Sequence, residues 1–248
     1  MVKRFDGREW DEIRKMEAKV GIIPNANGSA MFKFGDTYAI AAVYGPKLAK
    51  VPTKYDKAIL RVRYNMLTFS VPERKKPAPS RREIELSEVI KRALEPAIFL
   101  EEFPGTIIDV YVDIINADAG TRTAGINAAS LALADAGIPM KDLVVAVAVG
   151  KVGERIVIDL TKEEEDYDSE KLKGTEKEKY IEYYGEGKAT DIPVAIIPLT
   201  KEFTLIQLDG EIDKEDLEKA LKLAQEKSIE IRNVLEKAIK EKYKETKL

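Results

Sequence analysis

The stretch "IIDVYVDIINADAGTRTAGINAASLALADAGIP" (107–139) decides how this chain folds. Its first part, rich in β-branched and aromatic residues, reads as a strand over 107–115. A proline-free Ala/Leu run follows and reads as a buried helix over 122–136, closed by a C′ glycine and the proline of "AGIP" (136–139). The junction between them is odd. Asp118, Gly120, Thr121 and Arg122 stand where the first N–H groups of a helix lack acceptors. Either the junction is a plain cap or it seats an anion, which a helix N-terminus attracts through free donors and partial positive charge.

Working outward from this strand–helix unit, "GSAMFKFGDTYAIAAVYG" (28–45) reads as a hairpin turning at Gly35–Asp36. A strand is expected over 59–66, then a Pro/Lys-rich loop over 71–79. A helix over 80–101 follows, opened by a capping box of Ser80 and Glu83. Beyond residue 141, "LVVAVAVG", "RIVIDL", "IPVAIIPL" and "TLIQLDG" are four more strand candidates. A long amphipathic helix begins after Asp213, with Leu217, Leu221, Ala224, Ile231, Leu235 and Ala238 on one face. Strands and helices mix without a repeated βαβ rhythm, so the expected class is α+β, mixed sheets packed with helices. The charged segment 169–187 reads as a solvated, partly helical insertion.

Composition narrows the chemistry. The chain has 248 residues with neither cysteine nor histidine. That excludes thiol nucleophiles, Ser-His-Asp triads, histidine-based RNA cleavage and the usual zinc sites. What remains is carboxylates, Arg and Lys, hydroxyls, backbone donors and a hard metal. A reaction whose nucleophile arrives already ionised suits that set. No stretch approaches the ~20 apolar residues of a membrane span. The first residues, "MVKRFDGREW", lack a signal-peptide core, so a cytoplasmic protein is expected.

Charge is unevenly spread. Between Lys47 and Arg92 thirteen Lys/Arg face five Asp/Glu, a net of +8 within a chain of net −3, which leaves −11 elsewhere. A basic zone in an acidic chain points to a polyanion-binding surface. Arg61 and Arg63 alternate onto one strand face. Arg81 and Arg82 occupy the first turn of a helix, where cations oppose the dipole unless an anion compensates.

Six strings in order, "RFDGRE", "NANGSA", "AAVYGPK", "LRVRYNM…ERKKPAPSRREIELS", "ADAGTRTAGINAASLALADAGIPM" and "DIPVAI", resemble the RNase PH family, most closely the catalytic RNase PH-type subunits of archaeal exosomes. The resemblance implies the RNase PH fold, related to the second domain of ribosomal protein S5. On this reading 1–140 is an N-terminal half with the basic RNA-binding segment and the phosphate-binding helix start. Residues 141–248 are a C-terminal half with the acidic loop, the insertion and the terminal helix. It further implies a 3′→5′ exoribonuclease that uses inorganic phosphate as co-substrate and releases nucleoside diphosphates. Implied partners are single-stranded RNA, a related non-catalytic subunit in a hexameric ring, and S1/KH-type RNA-binding cap proteins.

Carried onto this sequence, the family pattern assigns the attacking phosphate to Gly120, Thr121 and Arg122. It assigns RNA to Arg81 and Arg82 and, near the RNA path, to Arg61 and Arg63. Asp166 and Asp191 become the acidic pair that divides proton donation and Mg²⁺ binding, with Glu164, Glu165 and Asp168 as competitors for the place of Asp166. Two departures stand out: twenty-four residues intervene between the two aspartates, and Gly105 stands where relatives commonly carry arginine. Two further readings are a structural ring subunit without chemistry and a stand-alone enzyme trimming tRNA 3′ ends.

Overall fold

A computed structural model describes residues 4–50, 56–77 and 79–245, so residues 51–55 and 78 of the basic segment lie outside the described residues. Strands β1 (Met16–Val20), β2 (Gly28–Phe34), β3 (Thr37–Leu48), β4 (Ile59–Met66) and β5 (Thr106–Asn116) form one sheet in the order β1-β2-β3-β5-β4. The β2–β3 hairpin turns at Gly35, whose φ of 52° lies in the left-handed region. Strand β4 runs parallel to β5, reached by a crossover through helix α1 (Arg81–Leu94). The Ser80–Glu83 capping box forms at the start of α1. Its C-terminal end comes earlier than the sequence suggests, at Leu94, because Pro96 has no N–H to continue the ladder; single 3₁₀ turns replace the remainder.

Helix α2 (Thr121–Asp135) lies against this sheet and against a second, antiparallel one. The second sheet has the order β7-β6-β8-β9, built from β6 (Val145–Val152), β7 (Arg155–Ile158), β8 (Ala189–Ile197) and β9 (Glu202–Ile206). Between β7 and β8 come the short helix α3 (Lys162–Glu165) and helix α4 (Gly174–Tyr184). Helix α5 (Lys214–Glu245) packs its apolar face on β6, β7 and β1. One continuous hydrophobic cluster joins both sheets through α2 and α5. The class is α+β.

The segment 169–187 is partly helical and largely exposed, as expected, but one face of it is packed rather than solvated. Tyr180, Tyr183 and Tyr184 fall on one face of α4, at the spacing that brings helix neighbours together. They meet Phe5 and Trp10 of the N-terminal arm in a second, smaller core, with Phe5–Tyr180 centroids 4.0 Å apart and Trp10–Tyr184 centroids 5.5 Å apart. Lys177, Glu178 and Glu182 of the same helix are exposed.

That small core surrounds a buried ion pair. Arg4 donates from Nε to Glu164 at 2.7 Å and from a terminal nitrogen to the same carboxylate. It also donates to the carbonyls of Ile158 and Asp159 at 2.7 and 3.0 Å. The Tyr184 hydroxyl donates to Glu164 at 2.7 Å. Replacing Arg4 by Met leaves the Glu164 charge buried without its cation, and urea unfolding is expected to register a loss of about 3–5 kcal/mol. Tyr184→Phe, which removes one donor to a charged acceptor, is expected to cost about 1.5–3 kcal/mol in the same assay.

Candidate functional site

The turn from β5 into α2 explains the odd junction in the sequence. Ala119 and Gly120 both take left-handed φ values, 54° and 63°, and Gly120 is the N-cap of α2. No side chain caps the helix there, so its first-turn donors and dipole are left for something else. Thr121 is held in place: the Tyr64 hydroxyl, on β4, lies 3.0 Å from its Oγ. Burial pushes the Tyr64 phenol up to about 12, so it keeps its proton and remains a donor. Arg122 donates to Oε1 of Gln207 at 2.7 Å, which steadies its guanidinium beside the end of β9.

Helix α1 brings a second cation. The Glu83 carboxylate accepts from the Ser80 N–H at 2.5 Å and from the Met66 N–H at 3.1 Å, stitching the start of α1 to the end of β4. Arg82, one residue earlier, thereby comes within electrostatic reach of Tyr64, Glu165 and Asp191. Arg81 and Arg63 are exposed and pair with no acidic side chain among the described residues. Arg61 does not offer a free charge. It makes a bidentate pair with Asp109 at 2.6 and 2.9 Å, and Lys47 joins the same carboxylate at 2.5 Å.

Across from these cations, β8 carries Asp191. Its backbone is fixed by reciprocal bonds with Asp209, both at 2.9 Å. Its Oδ1 is buried and has no hydrogen-bond partner among the described residues. Burial, with the neighbouring Glu165 and Asp209 charges added, raises the carboxyl from 3.8 to about 7 against the pull of Arg122 and Arg82. Its acidic companion is Glu165. Burial also raises that carboxyl, opposed by Lys162, by the Gly120 N–H and by Arg122 and Arg82.

Asp166, the expected first member of the acidic pair, faces solvent. Its carboxylate is largely exposed and bound to Lys162 at 2.6 Å. Of its competitors, Glu164 is consumed by Arg4 and Tyr184, and Asp168 pairs with Lys171 and Lys188. The structure gathers Gly120, Thr121, Arg122, Arg82 and Asp191, and adds Glu165, Tyr64 and Gln207. The last two were missed in the sequence. A tyrosine in the basic strand and a glutamine inside the apolar string "TLIQLDG" were the only signals.

Asp191 ties the site to stability. A carboxyl whose folded value lies above its unfolded value favours the protonated native state, so its contribution is full below pH about 4. It is lost as pH climbs from there through about 7. Asp191→Asn is accordingly expected to raise the melting temperature at pH 8 relative to the parent chain, with the difference vanishing toward pH 4 in a thermal unfolding series.

The model of the 3′ exoribonuclease family, domain 1, matches residues 12–139, and that of domain 2 matches residues 142–227. The chain is 51% identical over 243 residues to the exosome complex component Rrp41 of Pyrococcus horikoshii, covering 97% of this chain and 90% of the relative. To the Rrp41 of Nitrosopumilus maritimus it is 43% identical, covering 97% and 91%. Among solved structures it superposes on rice Rrp46 with a TM-score of 0.77 at 24% identity, covering 94% of this chain and 98% of the other. It superposes on a chain of an Archaeoglobus fulgidus exosome with RNA bound to the active site, at a TM-score of 0.73 and 23% identity, covering 93% and 92%.

Proposed function

The chain belongs to the 3′ exoribonuclease family of RNase PH type, and from that premise we propose that it is a phosphorolytic 3′→5′ exoribonuclease, the catalytic subunit of an archaeal exosome-type ring. One observation carries the reading. An uncapped helix start with two arginines faces a buried carboxylic acid poised near neutrality.

Inorganic phosphate sits at the N-terminal turn of α2, held by backbone donors, the Thr121 hydroxyl and the Arg122 fork. Arg82, and beyond it Arg81 and Arg63, hold the phosphates of the RNA 3′ end. The site's first task is to bring two anions into line without a base, which fixed guanidiniums do well because they stay charged. A phosphate oxygen then bonds to the terminal phosphorus while the bond to the ribose 3′-oxygen breaks. The 3′-oxygen takes the Asp191 proton as it leaves. The products are a nucleoside diphosphate and an RNA shorter by one unit, and the balanced step runs backward into RNA tailing.

Mg²⁺ belongs to the same proposal. It would serve the same leaving oxygen in place of the acid: with Asp191 ionised, its unpartnered buried oxygen and the Glu165 carboxylate beside it offer hard oxygen donors only. A hydrated Mg²⁺ needs only one or two carboxylates from the protein. Such an ion would stabilise negative charge on the leaving oxygen. A ring with a related non-catalytic subunit, topped by RNA-binding cap proteins in the cytoplasm, completes the reading. Strand β9 is a sheet edge beside the exposed Ile206 and Leu208, a surface suited to a neighbouring subunit.

Labelled RNA incubated with and without phosphate, alone and with the partner subunit, tests the whole. Nucleoside diphosphates are expected only when phosphate is present; binding without turnover in every condition would sink the reading. Within it, Asp191→Asn is expected to lower kcat by about 10²–10⁴-fold. The parent kcat is expected to fall as pH rises through about 7, because the donor loses its proton. Arg122→Gln is expected to raise the KM for phosphate by about tenfold or more, the worth of a charged hydrogen bond.

A further inference from the structure

Three arginines of the N-terminal arm, Arg4, Arg8 and Arg14, are buried, although arginine is almost never buried unless paired. The reaction above uses none of them. Arg14 is gripped from two directions. Its backbone N–H, its Nε and one terminal nitrogen donate to the Asp159 carboxylate at 2.8, 2.9 and 2.7 Å. Its other terminal nitrogen donates to the backbone carbonyl of Asp118 at 2.5 Å, and to the Asp118 carboxylate at 3.3 Å.

Both ends of this bridge lead straight into the site. Asp159 follows the last residue of β7 with a left-handed φ of 52°, and two residues later Thr161 begins the capping box of α3 that carries Glu165. Asp118 precedes the left-handed pair Ala119–Gly120 that aims the start of α2. From the first sheet, the Thr37 hydroxyl lies 2.6 Å from the carbonyls of both Asp118 and Ala119 and accepts from the Asp118 N–H at 3.0 Å. The phosphate seat and the acidic loop come from opposite halves of the chain. Arg14 is a single planar group fastened to both.

We infer that Arg14 is a positioning residue whose fork sets the separation between the phosphate seat on α2 and the acidic pair on α3 and β8. Its kinetic consequence rests on the phosphorolytic reading; the clamp itself does not. Lysine keeps the charge but, as a point donor, cannot span both partners in fixed geometry. A seat displaced by about 1 Å is enough to cost about 10²-fold in rate.

Arg14→Lys, Arg14→Gln and Thr37→Val test this by two measurements on the full chain with its partner subunit. The first is amide exchange at residues 119–122 without phosphate, with the amides of the β2–β3 hairpin as reference. The second is steady-state kinetics with phosphate and RNA varied separately. Exchange at 119–122 is expected to accelerate about tenfold in Arg14→Lys against unchanged hairpin amides, with phosphate KM up about tenfold, kcat down and RNA KM within about twofold. Thr37→Val, which frees the same turn from the opposite side, is expected to shift phosphate KM alone and to combine non-additively with Arg14→Lys. Should the Arg14 variants fail to fold, Thr37→Val decides by the same two readouts. A folded Arg14→Lys with unchanged exchange at 119–122 and unchanged phosphate KM would overturn the inference. So would equal rises in both KM values. If the parent chain shows no phosphate-dependent turnover, the functional reading fails while the exchange data still decide the clamp.

Discussion

A helix sandwiched between two sheets has no outward face, and that constraint on α2 shapes everything around it. Every residue from Thr123 to Leu133 is buried, with strands of both sheets packed against it. The fit depends on small residues, Ala124, Gly125, Ala128, Ala129 and Ala132, because added methylenes in such a layer force neighbours apart at a cost of about 1–3 kcal/mol. Two of its buried polar residues fix its height and rotation. Asn127 exchanges hydrogen bonds with both backbone groups of Ala146, each at 2.8 Å, and Ser130 accepts from the Val144 N–H at 2.8 Å. A helix so locked delivers its first turn to the seam between the sheets, where one half supplies cations and the other supplies acids.

The electrostatics of that seam are a contest that burial wins. Two guanidiniums near Asp191 would by themselves hold its carboxyl low, yet desolvation and the Glu165 and Asp209 charges together lift it. Strand β6 adds to the enclosure by passing close. A Cβ on Gly150, the residue paired with Asp191, would lie 2.0 Å from the Thr190 carbonyl oxygen, so only glycine lets the strands approach there. Anions bound to Arg82 and Arg122 would neutralise the groups that favour the carboxylate. On the proposed reading, substrate loading would therefore push Asp191 further toward its protonated form.

Legibility followed the range of the physics. The hairpin, the Ser80 capping box and the start of α2 rest on contacts close in sequence, and local sequence carries those signals. Arg82 and Arg122 could be placed for the same reason, each lying in the first turn of a helix. Arg61 could not, because its neutralisation depends on Asp109 standing opposite in the parallel β4–β5 register, forty-eight positions away. The tyrosines of α4 were hidden by their charged neighbours, since only the tertiary position of Phe5 and Trp10 shows which face is buried. Gln207 and Tyr64 gained meaning only when three distant segments converged.

The acidic run Glu164–Glu165–Asp166 shows why sequence position alone does not say which carboxylate turns toward the site. Successive residues on a helix point about 100° apart, so three neighbouring acids face three environments. Glu164 turns to Arg4, Glu165 to the site and Asp166 to Lys162 at the surface. What sets the phase is the Thr161 capping box, in which Glu164 bonds back to the Thr161 N–H at 2.9 Å while Arg4 and Tyr184 hold its carboxylate. An arginine of the N-terminal arm and a tyrosine of the inserted helix thus decide which acid meets Asp191. The insertion and the arm, remote from the reacting atoms in sequence and chemically idle, are part of what makes the site specific.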